Sequence, residues 1–254
     1  MSIVVIIYGE EFQNTPFEKA GVFIIGSLFL AKGVKIQLEK VKNVEHISND
    51  GNFPLFSIDS KLYSGIENSQ VIMDDMTNKI NNKGDQNIQG KSLSERIKFH
   101  NEIVQFNYVK CFFSNLLLYE EWISSKGYGI SSALYETRFS WPLNKLLLKK
   151  KRTAVDNVFK YSYFKNTKEE LIREFETFCM YLNNKLGNQL LVDKLQMSEL
   201  DLLIYGYITI INAYPNYFES YIEILNRCPQ INELLIKIND TNGNILAFWK
   251  ELHD

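Results

Sequence analysis

The sequence predicts an α+β front half followed by an all-α back half. Three observations predict it. A Val/Ile-rich opening run precedes an apolar helix and a second, alternating strand. A proline, Pro54, opens a third strand that turns at Asp59-Ser60 into a fourth. From residue 93 onward, large apolar residues recur at steps of three and four. The chain thus divides into residues 1–76, a polar linker at 77–92, and a helical unit at 93–254.

Residues 3–8 alternate poorly but are rich in Val and Ile, as suits a strand buried on both faces. In "TPFEKAGVFIIGSLFLAKG", Thr15 is placed to cap a helix, Pro16 occupies its first position, and Gly33 stops it. "VKIQLEKV" sets Val34, Ile36 and Leu38 against Lys35, Gln37 and Glu39, the alternation of a half-buried strand. Strand, helix and strand in that order favour a right-handed parallel unit. Residues 54–58 and 61–63 follow as two short strands. A helix with Val71, Ile72 and Met76 on one face comes next. The order β-α-β-β-β-α, with proline at the head of the third strand, is the thioredoxin-like arrangement, in which that peptide bond is cis. A loop with a trans proline is the plain alternative.

"TNKINNKGDQNIQGKS" at 77–92 is polar and too poor in apolar groups to order itself, so it reads as a linker. One helical stripe then runs through Val104, Tyr108, Cys111, Phe112, Asn115, Leu116, Tyr119 and Trp122. Another runs through Leu171, Ile172, Phe175, Phe178, Cys179, Leu182 and Leu186. Residues 200–213 are apolar nearly all round, which marks a helix at the centre of a bundle. Before it stands "MSELD". Ser198 caps the helix, Asp201 lies three residues on, and Met197 is placed to staple to an apolar residue within it. That feature serves structure, not catalysis.

Composition narrows the function. With 254 residues, 45% of them hydrophobic, and a net charge of −2, the chain can bury a full core and shows no bias toward nucleic acid. Cys111, Cys179 and Cys228 form no CxxC pair, and His46, His100 and His253 lie far apart, so no metal site and no cofactor is expected. "MSIVVIIYGEE" lacks a basic n-region and reads as a strand, not a signal peptide. The longest apolar run, 20–31, falls short of the ~20 residues that span a bilayer.

A thioredoxin-like front joined to a helical back is the glutathione-transferase architecture. A glutathione site needs a donor near the end of the first strand, main chain at the cis proline, and an acidic-Ser pair at a helix N-terminus. Tyr8 is placed for the first role, although a tyrosine at a strand end is more often a half-buried amphipathic residue. Pro54 supplies the second. By spacing, the acidic-Ser pair falls on Gly65-Ile66, which cannot do that chemistry; Asn68-Ser69 lies three residues further. None of the cysteines lies in the front half, which removes cysteine catalysis. The loop reads as a glutathione cradle without its polar grip. The competing reading is a transferase using Tyr8 and Ser69.

The residues around that cradle resemble the metaxin family. "EHISNDGNFPLF" at 45–56 is similar to the family's acidic residue, Met/Ile-Ser pair, Gly, and apolar residue with proline. The spacing from Pro54 to Ser64 matches without a gap. "YEEWISSKGYGISSALYETRFSWPLNK" resembles the family's aromatic helix, Trp, loop and "WPLN", here Trp141 to Asn144. "LNNKLGNQLLVDKLQMSELDLLIYGYITII" follows its Leu-Gly-x-Gln, its Ser/Thr-Glu-Leu-Asp, and a helix with an internal glycine, Gly206. The longer linker and Gly65, where the family commonly has Glu, depart from the pattern. "FWKELHD" carries no anchor, so the similarity is to the anchorless type. The resemblance implies a peripheral protein on the cytosolic face of the mitochondrial outer membrane, working without catalysis in the machinery that sorts and inserts β-barrel precursors. Its implied partners are the membrane-embedded barrel subunit, a second metaxin, and the precursors themselves.

Three surfaces are candidates for that work. Phe53, Pro54 and Leu55 flank a cleft able to pair with an extended peptide. Arg138, Trp141 and Asn144 make a second partner surface, against the alternative that Trp141 packs between helices. Lys149, Lys150, Lys151 and Arg152 lie in an acid-free segment suited to anionic lipid, against the alternative of a solvated helix face.

Overall fold

The computed structural model describes residues 3–9, 15–41, 47, 54–66, 93–138, 140–161, 167–188 and 198–253. Strand β1 (Ile3–Gly9) pairs in parallel with β2 (Lys35–Val41) and antiparallel with β3 (Leu55–Ile58), which pairs antiparallel with β4 (Lys61–Ser64). The sheet order is β2-β1-β3-β4. Val34 precedes β2 instead of entering it, because the chain is still closing the helix before it. That helix, α1 (Pro16–Ala31), ends as its sequence dictates. Gly33 takes φ 73°, the Gly33 amide donates to Leu30, and the Val34 amide donates to Phe29. The hairpin β3–β4 turns through Asp59 (φ 49°) and Ser60 (φ 64°), two consecutive left-handed residues that match the twist of paired strands.

The helical half runs α2 (Leu93–Leu118), a π turn (Tyr119–Ile123), α3 (Ser125–Arg138), α4 (Leu143–Tyr161), α5 (Lys168–Asn188), α6 (Glu199–Ala213), α7 (Pro215–Asn226), α8 (Pro229–Thr241) and α9 (Gly243–His253). The expected helix around Val71 and the linker at 77–92 lie outside the described residues.

One core joins both halves, and α1 is its hinge pin. Its residues are buried nearly all round, and it packs against α6 and α9 as well as the sheet. Phe23 meets Tyr205 at 5.7 Å, Phe248 at 6.0 Å and Trp249 at 4.7 Å between ring centroids. Gly206 on α6 faces α1 so closely that a Cβ there would sit 2.4 Å from Ile24 Cγ1. The glycine is what allows the two helices to touch.

The N-terminus of α6 carries a reciprocal cap. The Asp201 amide donates to Ser198 Oγ at 3.1 Å, and the Ser198 amide donates to Asp201 Oδ2 at 3.0 Å. Met197 lies outside the described residues. The stripe on α5 is inward as expected at Leu171, Phe175 and Cys179. On α2 the stripe splits. Phe112 and Leu116 are core residues, whereas Val104, Tyr108 and Cys111 are exposed.

Candidate functional site

Two places decide what this fold can do: the end of the hairpin, where a glutathione cradle would be, and the N-terminus of α1, where the front half meets the helices.

At the hairpin, Pro54 is buried, and its carbonyl accepts the Gly65 amide at 2.9 Å. Gly65 stands at φ 79°, a conformation that suits glycine and strains other residues. Ile66 buries its side chain in the core. The two positions where an acidic-Ser pair falls by spacing are therefore a left-handed glycine with its N–H spent and an apolar core residue. The bond between Phe53 and Pro54 lies outside the described residues, as does Ser69. Among the described residues, a cis peptide bond occurs at Trp141-Pro142. Leu55 departs from the expectation of a peptide-pairing residue. It is buried and pairs with Ile7 of β1 on one side and Ser64 of β4 on the other, so neither edge of its main chain is open to an added strand.

Tyr8 sits near the end of β1, partly buried against the core. Burial, and then the charge of Glu251, push its phenol above the usual tyrosine range. A carboxylate that raises a phenol would also disfavour a thiolate at the same place.

At the start of α1 the sequence reading missed a cluster of acids. Glu121 is fully buried in the π turn, and its Oε2 accepts the Phe17 amide at 3.1 Å. This carboxylate satisfies one of the first-turn amides of α1 and lies at the helix's positive end. Burial, reinforced by the nearby Glu18, pushes its pKa up to about 8. Glu18 is itself buried, and its Oε1 takes Lys151 Nζ at 3.2 Å. The adjacent Glu120, also buried, points elsewhere. It accepts the Tyr221 hydroxyl at 2.9 Å and pairs with Lys168 at 3.3 Å. The π turn separates the two neighbours: the Ser124 amide reaches back five residues to Tyr119, so the helix widens where the acids are needed. A signal for this existed. "YEEW" sets two acids between aromatic members of a core stripe, where solvated charges do not belong.

A carboxylate with a raised pKa is a form that general acids and bases take. Glu121 is sealed from solvent, however, so the cluster acts as a polar pin between the halves. Among the described residues, no cluster of His, Cys, Asp and Glu is arranged to hold a metal ion. Burial raises Cys179 and, more weakly, Cys228, which leaves both as protonated thiols.

The expected partner surface divides. Trp141 is 79% exposed and does not pack between helices. Asn144 departs from expectation: it is buried at the base of α4 and its Oδ1 accepts the Lys145 amide at 2.7 Å, so it faces inward. The backbone of Arg138 ends α3; its side chain lies outside the described residues. The cationic run divides as well. Lys149 and Lys150 are exposed, and the Arg152 guanidinium lies 4.5 Å from the centre of the Tyr128 ring. Lys151 departs from the lipid-facing expectation, because it turns inward to Glu18 and the Trp122 ring.

No family model matches the chain. It is 28% identical to human Metaxin-2 over 125 residues, 47% of this chain and 48% of that protein. It is 30% identical to mouse Metaxin-2 over 93 residues, 36% of this chain and 35% of that protein. The match thus spans half or less of the length of these curated relatives. Among solved structures, the chain is similar to the beta-etherase LigF from Sphingobium sp. (TM-score 0.61, 13% identity, 96% of this chain and 98% of that one). It is also similar to glutathione S-transferase III in its apo form (TM-score 0.52, 10% identity, 96% and 95%). A glutathione S-transferase from Sinorhizobium meliloti gives the same TM-score of 0.52 at 12% identity, covering 96% and 92%. At such identities these likenesses establish the fold alone: a glutathione-transferase-like sheet followed by helices.

Proposed function

We propose that this chain, metaxin-like in sequence and glutathione-transferase-like in fold, is a non-catalytic subunit of the machinery that sorts and inserts β-barrel precursors at the mitochondrial outer membrane. The similarity to Metaxin-2 supports a role at that membrane. The observation that carries the non-catalytic part is the hairpin end, where Gly65 and Ile66 stand in place of the polar pair that would hold a tripeptide. The α1 N-terminus adds support. Glu121 already occupies that helix end and takes the Phe17 amide, so this amide is not open to a substrate's carboxylate.

The work is then recognition by protein surfaces. The chain sits peripherally on the cytosolic face and contacts the membrane-embedded barrel subunit and a second metaxin-like subunit. Phe53, outside the described residues, remains the candidate peptide contact of the emptied cradle, and Trp141 marks an exposed anchor. Among the described residues, no helix is long and apolar enough to cross a membrane.

The deciding experiment is affinity purification of the tagged chain from mitochondria in mild detergent. An outer-membrane β-barrel and a second metaxin-like protein are expected to co-purify. The fold keeps one competitor in play, a glutathione transferase using Tyr8 and Ser69. Retention on immobilised glutathione, with conjugation that is lost in Tyr8→Phe and no barrel co-purifying, would replace the proposal with that enzyme.

A further inference from the structure

Helix α4 is amphipathic in an unusual sense. Its inner face carries Leu148 and Val155, which pack with the buried Trp122, and Lys151, which turns in toward Glu18. Its outer face is not merely polar. Leu143 is 48% exposed and Leu146 is 61% exposed, three residues apart, and the 79% exposed Trp141 stands just before them. Lys150 lies four residues beyond Leu146 and Lys149 three, so both cations share the side of the helix on which the leucines emerge. The whole helix holds six cations and one acid, Asp156, in a chain whose net charge is −2. The positive charge is local, and the rest of the chain is acidic.

We propose that Trp141, Leu143, Leu146, Lys149 and Lys150 form a docking face for anionic lipid headgroups, with α4 lying along the membrane surface. The composition favours lipid over a protein partner. Protein interfaces deplete lysine around their apolar anchors, because burying an ammonium against protein costs its hydration. A headgroup layer removes that conflict. The leucines enter the acyl boundary, the tryptophan settles at the interface, and the lysine stems lie along apolar surface while their ammonium groups meet phosphate. Within α4 no acid precedes Asp156, and Glu136, which lies beside the base of the helix, is paired with Lys145. The proposal rests on the membrane reading above for which bilayer is meant, and it adds a direct lipid contact to partner-mediated attachment.

The test uses the purified full chain and vesicles of phosphatidylcholine with or without phosphatidylserine, followed by co-sedimentation and tryptophan fluorescence. Binding is expected only with the anionic lipid, weakening as salt rises. Lys149→Gln with Lys150→Gln should weaken it about 25-fold, about fivefold for each lysine. Leu146→Gln should weaken it too, and Trp141→Phe should remove most of the blue shift on binding, since Trp122 is buried beforehand and Trp249 is packed against the core beside Phe23. These positions are exposed, and an unchanged melting temperature confirms that each variant folds. No binding to anionic vesicles, or binding indifferent to the lysine and leucine changes, overturns the proposal. So does loss of a co-purifying protein in Leu146→Gln without any vesicle binding by the parent chain, which would assign the face to a protein partner. Because the vesicles contain no barrel subunit, failure here is distinct from failure of the co-purification.

Discussion

Glu121 Oε2 accepts the Phe17 amide at 3.1 Å, so a residue of the helical half completes the first turn of a helix in the front half 104 positions away. The two halves are therefore held together by a charge-capable group as well as by the aromatic contacts of Phe23. Because Glu121 is fully buried and faces Glu18, its neutral form is favoured, and the junction carries a built-in dependence on pH.

The sign of that dependence follows from linkage. The folded chain holds the Glu121 proton up to about pH 8, whereas the unfolded chain releases it near the ordinary 4.5. Between those values the native state binds more protons, so this contribution to stability is present at low pH and is lost as pH rises through about 8. Melting curves recorded across this window should show the temperature midpoint of the parent falling relative to that of Glu121→Gln, which keeps an acceptor for the Phe17 amide but carries no charge. Parallel curves for the two proteins would show that Glu121 does not titrate in this way.

Lys151 and Lys150 are neighbours in sequence with opposite duties, and stability should separate them. Lys151 pairs with Glu18 at 3.2 Å, with side chains 17% and 10% exposed. Lys151→Met strips this cation from a buried carboxylate and should cost about 3 kcal/mol in urea unfolding. Lys150→Met, on the exposed face, should stay within about 0.5 kcal/mol of the parent. Equal effects from the two changes would contradict the inward placement of Lys151.

Local signals made much of this fold legible. Pro16 and Gly33 bound α1 because the chemistry of helix ends acts within a few residues, whereas Thr15 stands at the N-cap position without a side-chain capping hydrogen bond. The hairpin at Asp59-Ser60 and the cap at Ser198 were readable for the same reason. Partner choice was not readable. A 3.6-residue period reveals that Val104, Tyr108 and Phe112 lie near one face, but not that the helix buries a face rotated from it, which carries Phe106, Val109 and Phe113. Likewise, five cations in nine residues look equivalent in sequence. Only tertiary packing gives Lys151 a buried acid and leaves Lys149 and Lys150 in solvent. Glu121 was missed because an acid is ordinarily taken as solvated, and its partner lies 104 residues away.

The reciprocal cap at α6 makes a prediction about additivity. Ser198→Ala removes the acceptor for the Asp201 amide and should cost about 1 kcal/mol in chemical denaturation. Asp201→Ala removes the acceptor for the Ser198 amide. Since Ser198 Oγ also donates to Asp201 Oδ2 at 2.6 Å, the two residues act as one unit, and the double variant should lose less than the sum of the singles. Strict additivity would mean that the two bonds form independently.

The contact of α6 with α1 through Gly206 leaves no room for a side chain. A methyl group at Gly206 would lie 2.4 Å from Ile24 Cγ1, below any real non-bonded carbon–carbon contact, and that carbon is held next to the branched Cβ of a fully buried residue. Gly206→Ala gains helix propensity of about 1 kcal/mol. The clash must exceed that gain, because both helices are clamped elsewhere, α1 by Phe23 against α9 and α6 by the Tyr207 hydroxyl at 3.0 Å from Ser114 Oγ. The net loss should be about 1–3 kcal/mol in chemical denaturation. The compensating change discriminates the cause. Ile24→Ala removes the carbon that would be struck and leaves a cavity of its own, so combining it with Gly206→Ala should recover part of the loss of each. If the double variant is as unstable as the summed singles, the two residues do not share this contact, and the glycine serves backbone freedom instead of close approach.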